Sequence, residues 1–259
     1  MITSPANPTL KRVRALQERR AAREQEGAFV VEGLRLVGEA VATGLQPLLV
    51  LHTAGLDERG ETLLRQLAAS GVAPQIVSPA VLRQCSDTQS PAGLLAVFPL
   101  PRLPLPPRLT FALILDRVAD PGNLGTILRT AAAAGAQAAF LSPGTVDAFN
   151  PKVVRGGMGA HFRLPILAAG WDEIAGRLAG LQVWLADAAG GTPYDRVDWR
   201  APSGLIVGGE AEGAGPEARA LASSRVSIPM PGRAESLNAA VAAGILLFEI
   251  ARQRAGASG

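Results

Sequence analysis

The stretch Leu113-Ile114-Leu115-Asp116-Arg117-Val118-Ala119-Asp120-Pro121-Gly122-Asn123-Leu124-Gly125-Thr126-Ile127-Leu128-Arg129-Thr130 decides the fold class. An apolar run from Phe111 to Leu115 reads as a strand that ends at Asp116. The chain then crosses a turn-rich segment, Ala119 to Asn123, and enters an Ala-rich helix that carries Arg129. Gly122 and Gly125 have no Cβ and allow close backbone approach. Asn123 and Arg129 stand six apart, about two helical turns, which predicts that both face one side if the helix begins by Asn123. An amide and a guanidinium at a strand end suit an anionic or hydroxylic substrate. An ordinary strand-to-helix turn, with Asn as cap and Arg in solvent, reads equally well from this stretch alone.

Working outward, strands and helices alternate through the C-terminal half. Strands are predicted at residues 138–141, 163–166, 183–186, 205–207 and 226–228, with helices near 151–155, from 172 and from 236 to 254. Such alternation predicts a parallel sheet covered by helices on both faces. Upstream, five prolines lie between residues 99 and 107, a composition that favours a stiff, extended spacer. Residues 99–109 are therefore expected to be a linker between a domain at 1–98 and a domain at 110–259. The first domain reads as a small α/β unit. A basic helix runs to about Glu26, strands fall at residues 29–31, 48–51, 75–77 and 92–98, and helices occupy 33–43 and 58–70. Ser78-Pro79 opens a further helix. In the leading helix Leu10, Val13 and Leu16 share a stripe, and Arg12, Arg19, Arg20 and Arg23 are expected on the remaining surface, where a plain solvated face and a phosphate-contacting arm read equally well.

Composition narrows the chemistry. At 259 residues the chain can bury substantial cores, and its formal net charge is only +3, so a nucleic-acid surface must be local. Lysine occurs only at positions 11 and 152, leaving arginine as nearly the whole positive charge, a residue whose planar fork matches phosphate oxygens. A single cysteine, Cys85, excludes an internal disulfide and a cysteine-rich zinc site. His52 and His161 are the only histidines and lie far apart, so no metal centre is expected. No apolar run approaches a membrane span and no signal-peptide core opens the chain, so a cytoplasmic protein that keeps clear of membranes is expected.

Two further stretches carry chemistry. In Leu205-Ile206-Val207-Gly208-Gly209-Glu210-Ala211-Glu212-Gly213 an apolar strand meets a glycine pair, which lets backbone lie directly against a ligand at the strand's carboxyl end. The glycine spacing matches neither a dinucleotide fingerprint nor a phosphate-loop motif, and from this stretch alone a plain strand-loop-helix connection is the better reading. In Val226 to Asn238 a strand ends at Pro229, a constrained loop follows, and Ser236 is the expected helix N-cap with Asn238 in the first turn. The helix then opens on Ala239-Ala240-Val241-Ala242-Ala243-Gly244, small residues that permit very close packing.

Taken together and in this order, the three stretches resemble the SpoU/TrmH-type RNA 2′-O-ribose methyltransferases of the SPOUT superfamily. The resemblance rests on Asp120-Pro121-Gly122-Asn123-Leu124-Gly125 with Arg129, on Gly208 to Gly213, and on Ile228-Pro229-Met230 through Ser236-Leu237-Asn238. It covers residues 110–255, and Phe29 to Gly33 resembles, less strongly, a ribosomal-protein-like RNA-binding domain. The resemblance implies an S-adenosylmethionine-dependent enzyme with a C-terminal trefoil knot and a homodimer formed through the C-terminal domain. It implies cofactor contacts at Gly208, Ile228, Met230 and Leu237, and a catalytic set of Asn123, Arg129, Glu210, Ser236 and Asn238. Pro231 and the lead-in Arg233-Ala234-Glu235 are variations on the motif. Because a guanidinium stays protonated, Arg129 is expected to bind phosphate and stabilise a developing oxyanion rather than act as a base. The expected substrate is ribosomal RNA, with transfer RNA second. A knotted RNA-binding protein without turnover and a nucleotide-binding α/β protein are the rivals.

Overall fold

The computed structural model describes residues 1–86, 92–210, 213–232 and 235–256. These form two compact units, residues 1–102 with 149–162, and residues 103–148 with 163 onward.

The first unit opens with α1 (Pro8–Glu18), whose Asn7 side chain accepts the Thr9 N–H at 2.8 Å while Pro8 sits at the first helical position. The single basic helix expected from the sequence is in fact broken. Arg19 is extended at φ −116° and ψ 118°, and the chain resumes as α2 (Arg20–Glu26), which stops at Gly27 in the left-handed region at φ 59°. There follow β1 (Ala28–Glu32), α3 (Leu34–Ala42), β2 (Leu49–His52), α4 (Glu58–Ala69), β3 (Gln75–Ile76), α5 (Pro79–Gln84) and β4 (Leu94–Pro99). The sheet order is β1-β4-β2-β3, with β4 antiparallel to both its neighbours and β3 parallel to β2. Successive side chains point to opposite faces. Phe29, Val31, Ala96 and Phe98 meet α3 and α4 on one face, while Val30, Leu51, Leu95 and Val97 meet α1 and α5 on the other.

The second unit comprises β5 (Phe111–Asp116), α6 (Pro121–Ala133), β6 (Ala138–Leu141), β7 (Ile166–Ala168), α8 (Trp171–Arg177), β8 (Gln182–Ala186), β9 (Thr192–Pro193), β10 (Ser203–Gly208), α9 (Pro216–Leu221), β11 (Ser224–Ser227) and α10 (Ala239–Ala255). Its seven strands run in the order β7-β6-β5-β10-β8-β11-β9, and every pairing is parallel, as the alternating pattern predicts. β7 begins later than expected and β11 earlier, and β9, only two residues long, was too short to leave a pattern. β5 and β10 pair at the centre, from Ser203 opposite Phe111 to Gly208 opposite Asp116. Both are buried along almost their whole length, which explains why each reads as an unbroken apolar run.

One segment departs from the expected division at residue 110. The helix α7 (Pro151–Gly157) and the 3-10 turn Ala160–Phe162 belong to the first unit, where Val154 and Phe162 join the core around Phe29 and Phe98. Phe162 lies 6.4 Å from the Phe29 ring and 6.5 Å from the Phe98 ring. Aromatic burial at long sequence separation recruits this piece, and local pattern does not record it.

Candidate active site

Because every strand of the second sheet points the same way, the loops that follow β8, β10 and β11 emerge along one edge. Together with Ala239, Ala242 and Leu246 of α10 they line a cavity of about 680 Å³. Its walls include Gly208, Ile228, Met230 and Leu237, the four residues expected to hold a cofactor, and also Glu210, Ser236 and Asn238. Asn123 and Arg129 are not wall residues. Ala211, Glu212, Arg233 and Ala234, which complete two of the sequence motifs, lie outside the described residues.

The glycine pair has a different reason from the one read in the sequence. A Cβ on Gly208 would fall on the backbone of Gly213 and Ala214, and one on Gly209 would fall on the Arg117 carbonyl. Both glycines therefore serve backbone-to-backbone packing within the loop and beneath it. The loop closes where the Gly213 N–H donates to the Gly209 carbonyl at 3.1 Å, with Gly213 at φ 65°.

A directed chain of hydrogen bonds joins three of the expected catalytic residues. Asn238 caps α10, its Oδ1 accepting from the N–H groups of Ala240 at 2.9 Å and Val241 at 3.3 Å. Its Nδ2 donates to Asn123 Oδ1 at 3.0 Å, and Asn123 Nδ2 donates in turn to Glu210 Oε1 at 2.7 Å. The second carboxylate oxygen of Glu210 accepts from the Ala119 N–H at 3.3 Å. Asn123 is itself fixed at the start of α6, where its N–H donates to the Asp120 side chain at 2.7 Å. Partial burial pushes the Glu210 carboxyl up, but the hydrogen bonds from the Asn123 side chain and from backbone at Glu210, Ala119 and Asp120 outweigh it. The net pKa lies below the ordinary glutamate value. Both amides are committed to neighbours within the protein, so Asn123 orients Glu210 and Asn238 before it can orient any ligand.

Three expectations need correction. Ser236 is not the N-cap: Asn238 occupies that position and Ser236 is an exposed residue of the preceding loop that lines the cavity. The capping side chain must reach the N–H groups two and three residues on, and Asn238 does so while Ser236 does not. Arg129 does not share a face with Asn123. At about 100° per residue, six positions turn the helix by roughly 240°, and Arg129 is exposed, making no hydrogen bond or ion pair with any described residue. The basic arm is also smaller than expected. Arg23 is 3% exposed and donates to the carbonyls of Leu16 at 2.6 Å and Gln17 at 3.0 Å, so it serves the end of α1 rather than the surface. Arg12 pairs with Glu26 and Arg20 with Glu24, while Arg19 is exposed without an ion pair among the described residues.

Sequence reasoning missed a second layer. Asp116 is 1% exposed at the end of β5; its carboxylate accepts from the Ser142 hydroxyl at 2.7 Å and from the Gly215 N–H at 2.6 Å. Arg117 beside it is left-handed at φ 57°, with its carbonyl under Gly209 and its guanidinium against Gly215. The pair thus clamps both ends of the loop that carries Glu210. Asp187, just past β8, and Arg219, on α9, also line the cavity. The available signal was position alone: an acid directly after a strand, followed closely by Gly190-Gly191. Among the described residues no group of three His, Cys, Asp or Glu is placed to hold a metal.

The SpoU rRNA methylase family matches residues 110–248, and an MRM3-like substrate-binding domain matches residues 7–96. The chain is 34% identical to the Bacillus subtilis 23S rRNA (guanosine(2553)-2′-O)-methyltransferase RlmP, over 96% of this chain and 98% of that protein. The SpoU methyltransferase AviRb of Streptomyces viridochromogenes, crystallised with the cofactor AdoMet, superposes with a TM-score of 0.87 at 31% identity over 96% of this chain and 98% of that one. An AdoMet-bound rRNA methyltransferase from Sinorhizobium meliloti gives a TM-score of 0.86 at 35% identity, covering 97% of each chain. The strand-end cavity, the bonded Glu210–Asn123–Asn238 set and these matches converge: the chain belongs to the SpoU rRNA methylase family.

Proposed function

We propose that this protein transfers a methyl group from S-adenosylmethionine to a ribose 2′-oxygen of ribosomal RNA. The observation that carries the reading is the cavity, whose walls hold all four expected cofactor residues and open beside the Glu210–Asn123–Asn238 chain. The cavity suits the cofactor. Its volume of about 680 Å³ is that of a small-molecule site, and its lining mixes apolar groups such as Val226, Ile228 and Leu246 with carboxylates able to face a cation. Gly208, Ile228, Met230 and Leu237 would hold S-adenosylmethionine. When bound, it supplies an activated sulfonium methyl group.

The chain's own task is to bring the 2′-oxygen in line and to stabilise charge as it develops. Glu210, held ionised by its hydrogen bonds, fixes the amide of Asn123, and Asn238 ties that amide to the N-terminus of α10. Ser236, on the cavity wall, offers a hydroxyl for ribose or phosphate. Arg129, exposed and without a side-chain partner among the described residues, can offer its donors to an RNA phosphate and the adjacent oxyanion. The first unit would bind RNA through Arg12, Arg19 and Arg20.

A homodimer fits this reading. Along α10 and its approach, Leu237, Val241 and Phe248 stay exposed, the last two at 52% and 55%, an apolar stripe at helical spacing. In a dimer through that face Arg129, absent from its own chain's cavity wall, would be free to serve the partner's site. Light scattering should find a dimer at micromolar concentration, and a monomer there would sink this assembly. A trefoil knot and a cytoplasmic location belong to the same reading.

The test of function is single-turnover methylation of ribosomal RNA followed by mapping of 2′-O-methyl positions. Arg129→Ala should leave S-adenosylmethionine affinity nearly intact and slow transfer by about 10²–10³-fold, the size of losing one preorganised electrostatic donor. Arg129→Lys keeps charge but not the planar fork and should recover part of the rate. Transfer by Arg129→Ala at the unaltered rate would make this helix scaffold.

A further inference from the structure

Among the described residues, the cavity wall carries three carboxylates, Asp187, Glu210 and Glu235, and a single guanidinium, Arg219. Arg219 is held from two sides. Its Nε donates to the Ala214 carbonyl at 3.1 Å, and Nη1 lies 3.4 Å from Asp187 Oδ2. Asp187 is shared: Oδ2 also lies 3.5 Å from Arg225 Nη1, and Oδ1 accepts the Ala189 N–H at 2.9 Å. One carboxylate thus faces two guanidiniums, which leaves the cluster with one surplus positive charge beside a wall whose other charged groups are negative. The Asp187 side chain is 11% exposed and that of Arg219 is 48% exposed, so the carboxylate is sequestered while part of the fork remains open. A guanidinium has five N–H donors, and these contacts occupy two of them. Arg225 does not line the main cavity; it lines a separate space of about 280 Å³ with Ser223 and Ser224, and Arg219 borders both spaces.

S-adenosylmethionine carries two cations, the sulfonium and the α-ammonium, and one anion, its carboxylate. The two other wall carboxylates, Glu210 and Glu235, and a guanidinium cluster that keeps one surplus positive charge form the complementary pattern. We propose that Arg219 is the receptor for the cofactor's carboxylate, with Asp187 and the Ala214 carbonyl as positioning groups that set the plane of the guanidinium. This rests on the cofactor reading above and adds to it the residue that recognises the amino-acid end. A guanidinium already anchored at Nε loses little freedom when it engages a carboxylate, which favours a charge-assisted pair.

The test compares two ligands on the full chain by isothermal titration calorimetry: S-adenosylmethionine and its decarboxylated analogue, which keeps both cations and lacks only the anion. The wild-type protein should prefer S-adenosylmethionine by about 10- to 100-fold. Arg219→Ala should weaken S-adenosylmethionine by that factor, leave the analogue nearly unchanged, and so erase the preference. Arg219→Lys should restore part of it. Arg225→Ala, which leaves the Arg219 contacts in place, should keep most of it. Should Arg219→Ala fail to fold by circular dichroism, Arg219→Gln retains the stem and a donor and is read the same way. A wild-type protein indifferent to the carboxylate, or an Arg219 variant that weakens both ligands equally, would overturn the assignment and leave Arg219 as a strut between loops. Binding of neither ligand by the wild-type protein would overturn the cofactor reading and this inference with it.

Discussion

The two units each build a sheet between helices, yet only the second gathers its functional groups at strand ends. In the first, β4 runs against both β1 and β2, so its connections leave from opposite edges. Its groove, about 640 Å³ and lined by Leu34, Gly38, Glu58 and Leu63 among others, lies between α3 and α4. In the second unit β5, β8, β10 and β11 all run the same way, and four loops converge. Strand direction, more than composition, decides where loops can cooperate. Both units use arginine in two ways: Arg23 and Arg254 are held by backbone carbonyls, whereas Arg19 and Arg129 are exposed without an ion pair among the described residues.

The largest expected effect tests whether backbone contact holds the converging loops. Gly208→Val places a branched side chain where the Gly213–Ala214 backbone runs, and should cost about 3 kcal/mol and abolish cofactor binding. Urea denaturation and calorimetry read both. Normal stability with lost binding would mean that the side chain merely fills the cavity, and the packing argument would fall.

Glu210 gives a smaller and pH-dependent effect. Glu210→Gln sets an amide N–H against one of its two donors, the Asn123 amide or the Ala119 N–H, and should slow methyl transfer by about 10- to 100-fold. Because the folded pKa is depressed, the stabilisation that Glu210 contributes is complete above its ordinary value of 4.5 and is lost as pH falls through the lower folded value. The wild-type protein should therefore be indifferent to this group between neutral pH and about 5. Its acid limb of stability should shift in Glu210→Gln; superimposable profiles would show that the carboxylate is not held as drawn.

The smallest effects separate the two kinds of arginine. Arg23→Ala leaves the Leu16 and Gln17 carbonyls without their donor and should destabilise the chain by about 1–3 kcal/mol. Arg19→Ala should change stability by less than about 0.5 kcal/mol while reducing the salt slope of RNA binding by roughly one. The reverse outcome, a stable Arg23→Ala with a flattened salt dependence, would return Arg23 to the RNA surface.

Much of the site was legible because its chemistry follows strand ends. Glu210, Ile228 and Met230 sit at or just beyond the ends of predicted strands, and the parallel sheet delivers them to one cavity. Asn123 was legible as a residue but not in its role, because a bond to Glu210 spanning 87 positions leaves no local trace. The cap at Asn238 rather than Ser236 turned on which side chain reaches the first free N–H groups, a matter of two residues that periodicity does not resolve.

By itself the sequence determined the alternating elements, the parallel second sheet and the three motifs, since these depend on apolar periodicity and short-range turn chemistry. Tertiary structure alone decided the rest. It moved residues 149–162 into the first unit through Phe162 and buried Arg23 against helix-end carbonyls. It also showed that the Gly208-Gly209 pair yields to neighbouring backbone, and it placed Asp116 and Arg117 beneath the Glu210 loop. Each of these rests on contacts between residues distant in the chain, where packing and burial of polar groups, not local propensity, set the free energy.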